Sequence, residues 1–481
     1  MKRTDLLLVI PHQPATAGLL RGPAGITQPL GAGYIAAYLE TSGLSAAILD
    51  NSVELLGPAE FKTRVAACAP LAVGFTVCSS SHNTALRLAA LVKETDPTIK
   101  VILGGVHPSA IPEKLLQDRN VDFIVRGEGE ETSRELLLAL RAGEVPEHVR
   151  GLAFLHDGKM LLTEARPPIE DIDALPFPAH HLMPMGKYGL PASRRLTLKP
   201  AAAVITSRGC PYSCRFCSHN SVFSGRVRFR SPANVMAEIR RLTQDHGVGE
   251  LLFWDDSFLL DRGRALELCR LLEESGLGLT WSCSSRVDHI TPELAAAMYR
   301  AGCRMVLFGV ESGSEKVLRS INKNTRLEQI RGAVAACRDA GLLSFCSFVL
   351  GTPEETEETA NQTRRFVLDL DPDFAIFCIF TPLPGSYFFE QYRAAGRLDL
   401  DAIDWDRYIN LLSNEPPLMA AGSLSEARLV ALQKELFRDF YFRPSYIWRR
   451  LKLLRSPQHL YQNLRGLKTL ISLQLHRFRD V

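Results

Sequence analysis

The sequence predicts an α/β protein with two parallel sheets that follow one another along the chain, and a helical C-terminal region after them. Short runs rich in Val, Ile and Leu alternate with helical patterns over residues 1–145, and the alternation returns over 196–390. Such alternation is typical of parallel sheets covered by helices. A length of 481 residues is too great for one compact core. We therefore expect separate units at 1–145, 146–195, 196–390 and 391–481.

The first block predicts a doubly wound, flavodoxin-like parallel sheet. Its candidate strands are 6–10, 46–49, 72–75, 100–103 and 123–125, and its candidate helices are 31–41, 58–68, 81–94 and 130–140. Ligands of such sheets bind at the carboxyl ends of the strands. Gly104 and Gly105 follow the fourth strand and Gly127 follows the fifth. Because glycine lets a bulky ligand approach the backbone closely, we expect a ligand at this edge.

The stretch 146–195 is predicted to be a linker that contains one β-hairpin. The hairpin covers 151–164 and turns at Asp157-Gly158, a pair that favours the positive φ angles of a tight turn. Residues 166–185 are rich in proline and show no periodicity, which indicates irregular structure.

The second block predicts a partial (β/α)6 barrel. Its candidate strands are 202–206, 250–254, 280–284, 305–309, 344–350 and 374–380. Functional residues of such barrels lie at the carboxyl ends of the strands. Four aromatic side chains on or next to these strands are candidates for apolar contacts with a substrate: Trp254, Trp281, Phe308 and Phe380.

The C-terminal tail is basic and rich in aromatic residues. From Arg443 to Val481 there are nine Lys or Arg and one acidic residue, Asp480. A helix of this kind can lie on an anionic membrane surface. The alternative is a helix that packs on the barrel with its basic face in water.

The composition is that of an ordinary soluble globular protein, with 46% hydrophobic and 23% charged residues. The 56 basic and 53 acidic residues nearly balance, so charge gives no reason to expect nucleic acid as a partner. No apolar run approaches the ~20 residues of a membrane span. The N-terminal apolar run ends at Pro11, too early for a signal peptide. We expect a cytoplasmic protein with reduced cysteines.

Three of the eleven cysteines lie close together, at Cys210, Cys214 and Cys217. Thiolates at Cys-x3-Cys-x2-Cys spacing can hold three irons of a [4Fe–4S] cluster and leave the fourth iron open. Gly209 and the proline after the first cysteine suit a loop that folds back over a cluster. The alternatives are unconnected core thiols or a zinc site, for which His219 is a candidate fourth ligand.

The cysteine loop resembles that of the radical S-adenosylmethionine (SAM) superfamily. In that family the open iron chelates the amino and carboxylate groups of SAM, and an electron from the cluster cleaves SAM to a 5′-deoxyadenosyl radical. The resemblance implies that Phe216 packs near the adenine. It also places Asp255 and Asp256 where the family contacts the SAM amino group, although either residue also suits the N-cap of the next helix.

The same resemblance extends to three later strand ends. Arg286 is expected to pair with the SAM carboxylate. Glu311 stands where the family contacts the ribose or the amino end of SAM, and its alternative role is a buried salt bridge. Gly351 and Glu354 belong to 347–354, which is similar to the family's motif Gly-x-Ile-x-Gly-x-x-Glu with Ser and Val in place of the first Gly and the Ile. The backbone of this segment is expected to flank adenine.

The first block is similar to the cobalamin-binding domain that precedes many radical SAM barrels. Residues 28–40, 104–108 and 127–130 match the opening of its first helix and its later loops. The resemblance implies cobalamin contacts from Thr76, Ser79, Gly104, Gly105, Gly127 and Glu128. The motif Asp-x-His-x-x-Gly is absent, and neither His12 nor His107 has its setting, which implies that cobalt has no protein ligand or only water. The alternative is a flavodoxin-like domain that has lost its ligand or binds another one.

We interpret the chain as a cobalamin-dependent radical SAM enzyme, with a methyltransferase acting on an unactivated carbon of a small-molecule or lipid-like substrate as the expected activity. An external electron donor such as flavodoxin or ferredoxin is implied. Ring contraction or oxidative cyclisation without methyl transfer is the alternative chemistry. A methylthiotransferase would need further cluster cysteines in its N-terminal domain, and a non-catalytic cobalamin sensor would make the cysteine loop a relic.

Overall fold

The computed structural model describes residues 4–13, 26–190, 194–223, 225–408 and 419–452. Within these ranges the chain forms a seven-stranded sheet, a six-stranded sheet and a two-stranded ladder, which is inserted in sequence between two strands of the six-stranded sheet. No helix in the same ranges is long and apolar enough to cross a membrane.

The first sheet has the strand order β2-β1-β3-β4-β5-β6-β7. Its strands are β1 Leu6–Ile10, β2 Ala46–Asp50, β3 Ala72–Thr76, β4 Lys100–Gly104, β5 Phe123–Val125, β6 Leu152–His156 and β7 Lys159–Leu162. Its helices are α1 Leu30–Thr41, α2 Asn51–Glu54, α3 Pro58–Cys68, α4 His82–Thr95, α5 Val106–Ala110, α6 Pro112–Leu115 and α7 Glu130–Ala142. Strands β1 to β5 are parallel, as predicted.

The predicted hairpin forms, and it extends the first sheet. Strand β6 pairs antiparallel with β5, with Phe123 opposite Phe154. Strand β5 has only three residues and would otherwise be an open edge. The hairpin therefore covers an edge that could pair with another chain.

The second sheet is fully parallel and runs β15-β14-β13-β12-β11-β8. The strands of this half are β8 Ala201–Val204, β9 Ser207–Arg208, β10 Arg228–Phe229, β11 Glu250–Phe253, β12 Thr280–Ser285, β13 Cys303–Glu311, β14 Leu343–Leu350 and β15 Phe374–Ile379. The helices are α8 Asn220–Phe223, α9 Pro232–His246, α10 Arg262–Glu274, α11 Pro292–Arg300, α12 Glu315–Ser320, α13 Leu327–Ala340, α14 Glu357–Leu370 and α15 Tyr387–Ala394. The six predicted barrel strands are all present.

Several barrel helices begin at capped residues. The side chains of Ser231, Asp261 and Thr291 each accept a hydrogen bond from the backbone N–H three residues later, which satisfies a donor that the first turn leaves free. Because Asp261 caps α10, neither Asp255 nor Asp256 does so.

Side chains from outside the barrel close both edges of the second sheet. At β8, the Gln28 side chain donates to the Ala201 carbonyl at 3.3 Å and accepts from the Ala203 N–H at 2.9 Å. At β15, Gln433 donates to the Phe377 carbonyl at 2.7 Å. The Tyr441 hydroxyl bonds to both the N–H and the carbonyl of the same strand's second residue. Several outward-facing backbone groups of both edge strands thus have side-chain partners.

The exposure of the side chains alternates along β14 and β15, which shows which face of each strand is accessible to solvent. Phe348 and Phe377 are fully buried against the outer helices. Ser347, Val349 and Cys378 point to the other side and are half-buried. Since successive side chains of a strand point to opposite faces, the half-buried residues line an accessible lumen inside the barrel.

The linker supplies the floor of this lumen. Leu190 packs against Ala201 and Leu252 on the inner face of β8 and β11. Leu196 packs against Met305 and Leu307 on the inner face of β13. The chain on both sides of residues 191–193 therefore lies inside the barrel.

The C-terminal region continues with α16 Glu426–Tyr441 and α17 Pro444–Lys452. Arg443 and Arg449 form ion pairs with Asp371 at the end of α14, and the Tyr446 hydroxyl donates to the Asp373 carbonyl at 3.0 Å. The described part of the tail thus packs on the barrel, which is the alternative to the membrane-bound helix. Residues 453–481 lie outside the described residues.

Candidate functional site

The cysteine loop begins at a position that only glycine fits. Gly209 has φ +101°, and a Cβ there would lie 1.9 Å from the Arg226 carbonyl oxygen. The β9–β10 ladder brings that carbonyl to the loop. The middle of the loop is fixed by Arg215, whose N–H donates to Ile321 and whose carbonyl accepts from Phe388. The loop is therefore held by α12 and α15 as well as by its own ladder.

Burial disfavours the ionised form of the three thiols, but nearby N–H groups and positive charges could stabilise the thiolates once a metal binds. Burial raises the pKa of all three, that of Cys217 to about 11. Backbone N–H groups donate to Cys210 and Cys217, and the positive charges of Arg286 and Lys323 oppose the effect of burial at Cys214. Iron binding displaces the thiol protons, and N–H donors and cations stabilise the resulting thiolates. The donor set fits an iron–sulfur cluster.

The zinc alternative receives no support from this geometry. Among the described residues, no three His, Cys, Asp or Glu side chains are placed to hold a single metal ion. A [4Fe–4S] cluster takes each thiolate on a different iron, so its ligands need not converge on one point. His219 directs Nδ1 to the Asp256 carboxylate at 3.1 Å.

Phe216 lies in an apolar cluster at the end of the barrel strands. It packs with Ile321, Phe380, Phe388 and Val349. Val349 belongs to the segment expected to flank adenine. The structure therefore brings together Phe216 and the 347–354 segment, as the resemblance implies.

The two aspartates after β11 differ in their surroundings. The Asp255 carboxylate is buried and accepts hydrogen bonds from the N–H and hydroxyl of Thr206 and from the Ser207 hydroxyl. Burial raises the pKa of Asp255, and its bonds tie the end of β8 to β11. Asp256 is exposed and its charge acts on the cluster thiols. Of the two, Asp256 faces the cluster loop.

Arg286 is held close to the cysteine loop. Its Nε and one Nη donate to the two carboxylate oxygens of Asp288 at 3.0 and 2.9 Å. Its guanidinium carbon lies 3.8 Å from the centre of the Tyr212 ring, and it also donates to the Lys323 carbonyl at 3.0 Å. The remaining Nη1 is buried without a partner among the described residues. This nitrogen is the donor available to a SAM carboxylate.

Glu311 forms the buried salt bridge that was its alternative role. Its Oε1 lies 2.8 Å from Lys323 Nζ, and both side chains are buried. The approach is so close to Gly309 that a Cβ there would lie 2.4 Å from Oε1. Glu311 also has φ +69°, a strained value for a residue other than glycine. Sequence reasoning missed Lys323, because no spacing links it to a partner twelve residues earlier.

The two glutamates that follow the fifth strand differ in burial. Glu354 of the motif is exposed and lies 3.9 Å from Lys316. Glu355 is buried, and it accepts a hydrogen bond from the N–H of Gly351. Burial raises the pKa of Glu355 to about 7. Gly351 has φ +82°, which explains why glycine occupies this position.

At the carboxyl edge of the first sheet, the three expected glycines differ in the space around them. Thr76 ends β3 and is exposed. A Cβ on Gly104 would meet Val125 only at 3.7 Å, whereas one on Gly105, with φ +109°, would lie 2.8 Å from a backbone oxygen. Gly127 also has a positive φ of +77°. Exposed Thr76 and the space at Gly104 fit the approach of a large, flat ligand such as cobalamin, whereas Gly105 is required by the close approach of the Val77 backbone.

Ser79 belongs to a buried hydrogen-bonded chain at the same edge. Its hydroxyl lies 3.0 Å from His107 Nδ1, and His107 Nε2 lies 2.8 Å from His82 Nδ1. The Trp405 ring packs on both imidazoles. Burial lowers the pKa of His82 to about 4 and that of His107 to about 3. Ser79 and both ring nitrogens of His107 are thus engaged within the protein.

Glu128 connects the two halves of the chain. Its carboxylate accepts from Arg208 at 2.9 Å and from Arg228 at 2.7 Å, and Arg208 also donates to Glu130 at 2.6 Å. These four side chains are buried. Burial opposes ionisation of Glu128, but the hydrogen bonds and charges of Arg228 and Arg208 lower its pKa overall. The Glu128 carboxylate, for which a cobalamin contact is predicted, therefore belongs to an ion-pair network that joins the first domain to the β9–β10 ladder.

Residues 204–367 match the Radical SAM superfamily, and residues 18–137 match the B12 binding domain. Together with the cysteine loop and the two sheets, these matches define the class: a radical SAM enzyme with a cobalamin-binding domain ahead of its barrel.

Individual relatives narrow the class to one family. Over 93% of its length the chain is 33% identical to an uncharacterized methyltransferase of Pyrococcus horikoshii, of which it covers 94%. It is 30% identical to an anaerobic magnesium-protoporphyrin IX monomethyl ester cyclase of Rubrivivax gelatinosus over 88% of this chain and 75% of that one. The structure of the radical SAM methyltransferase TsrM from Kitasatospora setae matches with a TM-score of 0.68 at 17% identity, covering 98% and 97% of the two chains. The chain belongs to the cobalamin-dependent radical SAM enzymes, whose cofactors are cobalamin, a [4Fe–4S] cluster and SAM.

Proposed function

We propose that this enzyme is a methyltransferase that acts on an unactivated carbon of a small-molecule substrate. One observation carries the proposal: the segment after the third cysteine lies between the cluster loop and the carboxyl edge of the first sheet. Within α8, the Val222 carbonyl lies 3.7 Å from the Cβ position of Gly127. The Cβ position of Gly385 meets both Ser221 of α8 and Ala110 of α5. The two expected cofactor sites therefore face each other across one short helix.

The chain's own residues position and enclose the reactants. When bound, SAM and the cluster would supply radical chemistry at a C–H bond, and cobalamin would supply the methyl group. Cys210, Cys214 and Cys217 hold the cluster, and Arg286 offers a buried donor to the SAM carboxylate. The ion pairs of Glu128 fix the first domain against the cluster loop. This arrangement serves orientation and exclusion of water rather than acid–base chemistry.

Two further expectations belong to the proposal. An external electron donor such as flavodoxin or ferredoxin reduces the cluster, because the other eight cysteines are scattered singly along the sequence. The enzyme works in a reducing compartment such as the cytoplasm, where a cluster with an open iron survives. A lipid-like substrate and peripheral membrane contact belong to the proposal only through the rest of the basic tail, residues 453–481, which lie outside the described residues.

The test is anaerobic reconstitution with iron, sulfide and cobalamin, followed by SAM, reductant and candidate substrates under mass spectrometry. A methyltransferase gives one S-adenosylhomocysteine and one deoxyadenosine for each methylated product. The Cys214→Ala variant removes one cluster ligand and is expected to form no deoxyadenosine. Cys378→Ala, which changes a lumen cysteine outside the loop, is the matched control and keeps its cluster.

Oxidative cyclisation is the second candidate, and the relative from Rubrivivax gelatinosus favours it. In that case deoxyadenosine appears with an oxidised product and without S-adenosylhomocysteine. If SAM is not cleaved at all, both candidates are wrong.

A further inference from the structure

Trp254 is an exposed aromatic side chain inside the barrel. It directly follows β11, where Leu252 faces the lumen and Phe253 packs against the outer helices. By the alternation of a strand, Trp254 faces the lumen with Leu252, and it is 48% exposed. The other three aromatic candidates, Trp281, Phe308 and Phe380, are almost completely buried. Trp254 is thus the member of this set that a ligand in the lumen can reach.

Arg194 reaches Trp254 from the linker that forms the floor of the lumen. Its guanidinium carbon lies 5.6 Å from the centre of the Trp254 ring. The side chain is half-buried, and burial lowers the pKa of its guanidinium without a carboxylate to offset the effect. Among the described residues, no hydrogen bond or ion pair joins Arg194 to another side chain. A half-buried guanidinium that no described carboxylate neutralises is costly, so its retention needs a reason.

The other charges near the barrel mouth already have partners. Lys323 is paired with Glu311 at 2.8 Å, and Arg286 is paired with Asp288 at 2.9 Å. The nearby Asp256 carboxylate is directed to His219. Arg194, by contrast, has no carboxylate partner among the residues that the structure describes.

We propose that Arg194 and Trp254 form a subsite for an anionic group of the substrate, a carboxylate or a phosphate attached to a planar ring. A guanidinium binds either oxyanion with two parallel hydrogen bonds, and the exposed indole face offers stacking to the ring. The subsite rests on the proposed function, since it places the substrate in the lumen beside the cluster loop. It deepens that function by assigning the charge and shape of the substrate.

The test measures binding of three small probes to the reconstituted holoenzyme with SAM present and no reductant. Benzoate and phenyl phosphate carry the two anions on the same ring, and benzamide is the neutral control. Saturation-transfer NMR gives the dissociation constant of each. We expect the wild-type enzyme to bind at least one anion at least tenfold more tightly than benzamide, and the stronger anion identifies the group.

Two lumen variants and one control separate the subsite from a general effect of charge. Arg194→Gln is expected to weaken binding of the preferred anion at least tenfold and to leave benzamide binding within twofold. Trp254→Leu is expected to weaken all three probes. Arg241→Gln is the control, because Arg241 is an exposed residue of α9 that lies at the same 5.6 Å from an aromatic ring, that of Phe177. This variant should change nothing.

Three results would overturn the proposal. The first is that the wild type binds the anions no better than benzamide. The second is that Arg194→Gln weakens all three probes equally. The third is that Arg194→Gln weakens SAM binding and not the probes, which would assign Arg194 to SAM. Because no reductant is present, none of these results depends on methyl transfer. A failed subsite is therefore distinguishable from a failed methyltransferase assignment.

Discussion

Replacement of Glu128 by Gln should loosen the junction between the two cofactor domains. The change removes one negative charge from a buried set in which Glu128 contacts Arg208 at 2.9 Å and Arg228 at 2.7 Å. Each contact corresponds to about 6 kcal/mol at an effective dielectric constant of 20, before the desolvation cost is subtracted. Removing one partner of a buried network costs about 3–5 kcal/mol in practice. The amide that replaces the carboxylate has one acceptor oxygen, so it can accept from Arg208 or from Arg228 but turns its NH2 group toward the other.

The first readout is the free energy of unfolding from urea denaturation, which should fall by about 3–5 kcal/mol. Glu131→Gln is the matched control, since Glu131 pairs with Arg166 at 2.9 Å from a side chain that is 38% exposed; such pairs contribute about 0–1 kcal/mol. The second readout is the number of deoxyadenosines formed per methylated product. This number should rise if the cobalamin domain is no longer held in a fixed position relative to the cluster loop. The reasoning is refuted if Glu128→Gln costs no more stability than Glu131→Gln.

The remaining predictions concern three other positions. Burial raises the pKa of Glu355 to about 7. The protonated carboxyl therefore contributes its full stabilisation below the pKa that it has in the unfolded chain, and this contribution is lost as the pH rises through 7. Glu355→Gln should therefore gain about 3 kcal/mol over wild type between pH 4.5 and 8 in urea denaturation, and a constant difference would contradict the assigned protonation. Gly209→Ala should lose most of its cluster iron because its Cβ meets a backbone oxygen, whereas Gly332→Ala, in open space on α13, should keep its iron; equal iron contents would contradict this. Tyr441→Phe should lower the free energy of unfolding by about 1–2 kcal/mol because two hydrogen bonds to Ala375 are lost, and an unchanged value would show that this edge of the sheet needs no cap.

The parts of the fold that local sequence encodes were predictable, and the parts set by distant contacts were not. Buried parallel strands are recognisable as short apolar runs, and the spacing of Cys210, Cys214 and Cys217 is also a local signal. The pairing of Glu128 with Arg208 joins residues 80 positions apart, and nothing in the loop around Glu128 indicates it. For the same reason a resemblance to the family motif favoured Glu354, although the turn after β14 buries its neighbour Glu355.

Arg194 shows a different limit of sequence reasoning. Its surroundings in sequence are those of a linker, and only the packing of Leu190 and Leu196 shows that the linker lies inside the barrel. A cation in a predicted linker would otherwise be interpreted as solvent-exposed. The missing counterion, which carries the inference, is visible only in three dimensions.

The side chains that close the edges of the second sheet limit how this enzyme can be divided or recombined. Gln28 comes from the first domain, and Gln433 and Tyr441 come from the C-terminal region. A fragment spanning only 196–390 would expose two rows of unpaired backbone groups, and such rows recruit strands from other molecules. We therefore expect an excised barrel to aggregate, and a chimaera that exchanges the cobalamin-binding domain to remain soluble only when the incoming domain offers an amide at the position of Gln28. The three regions of the chain therefore have to be engineered as one unit.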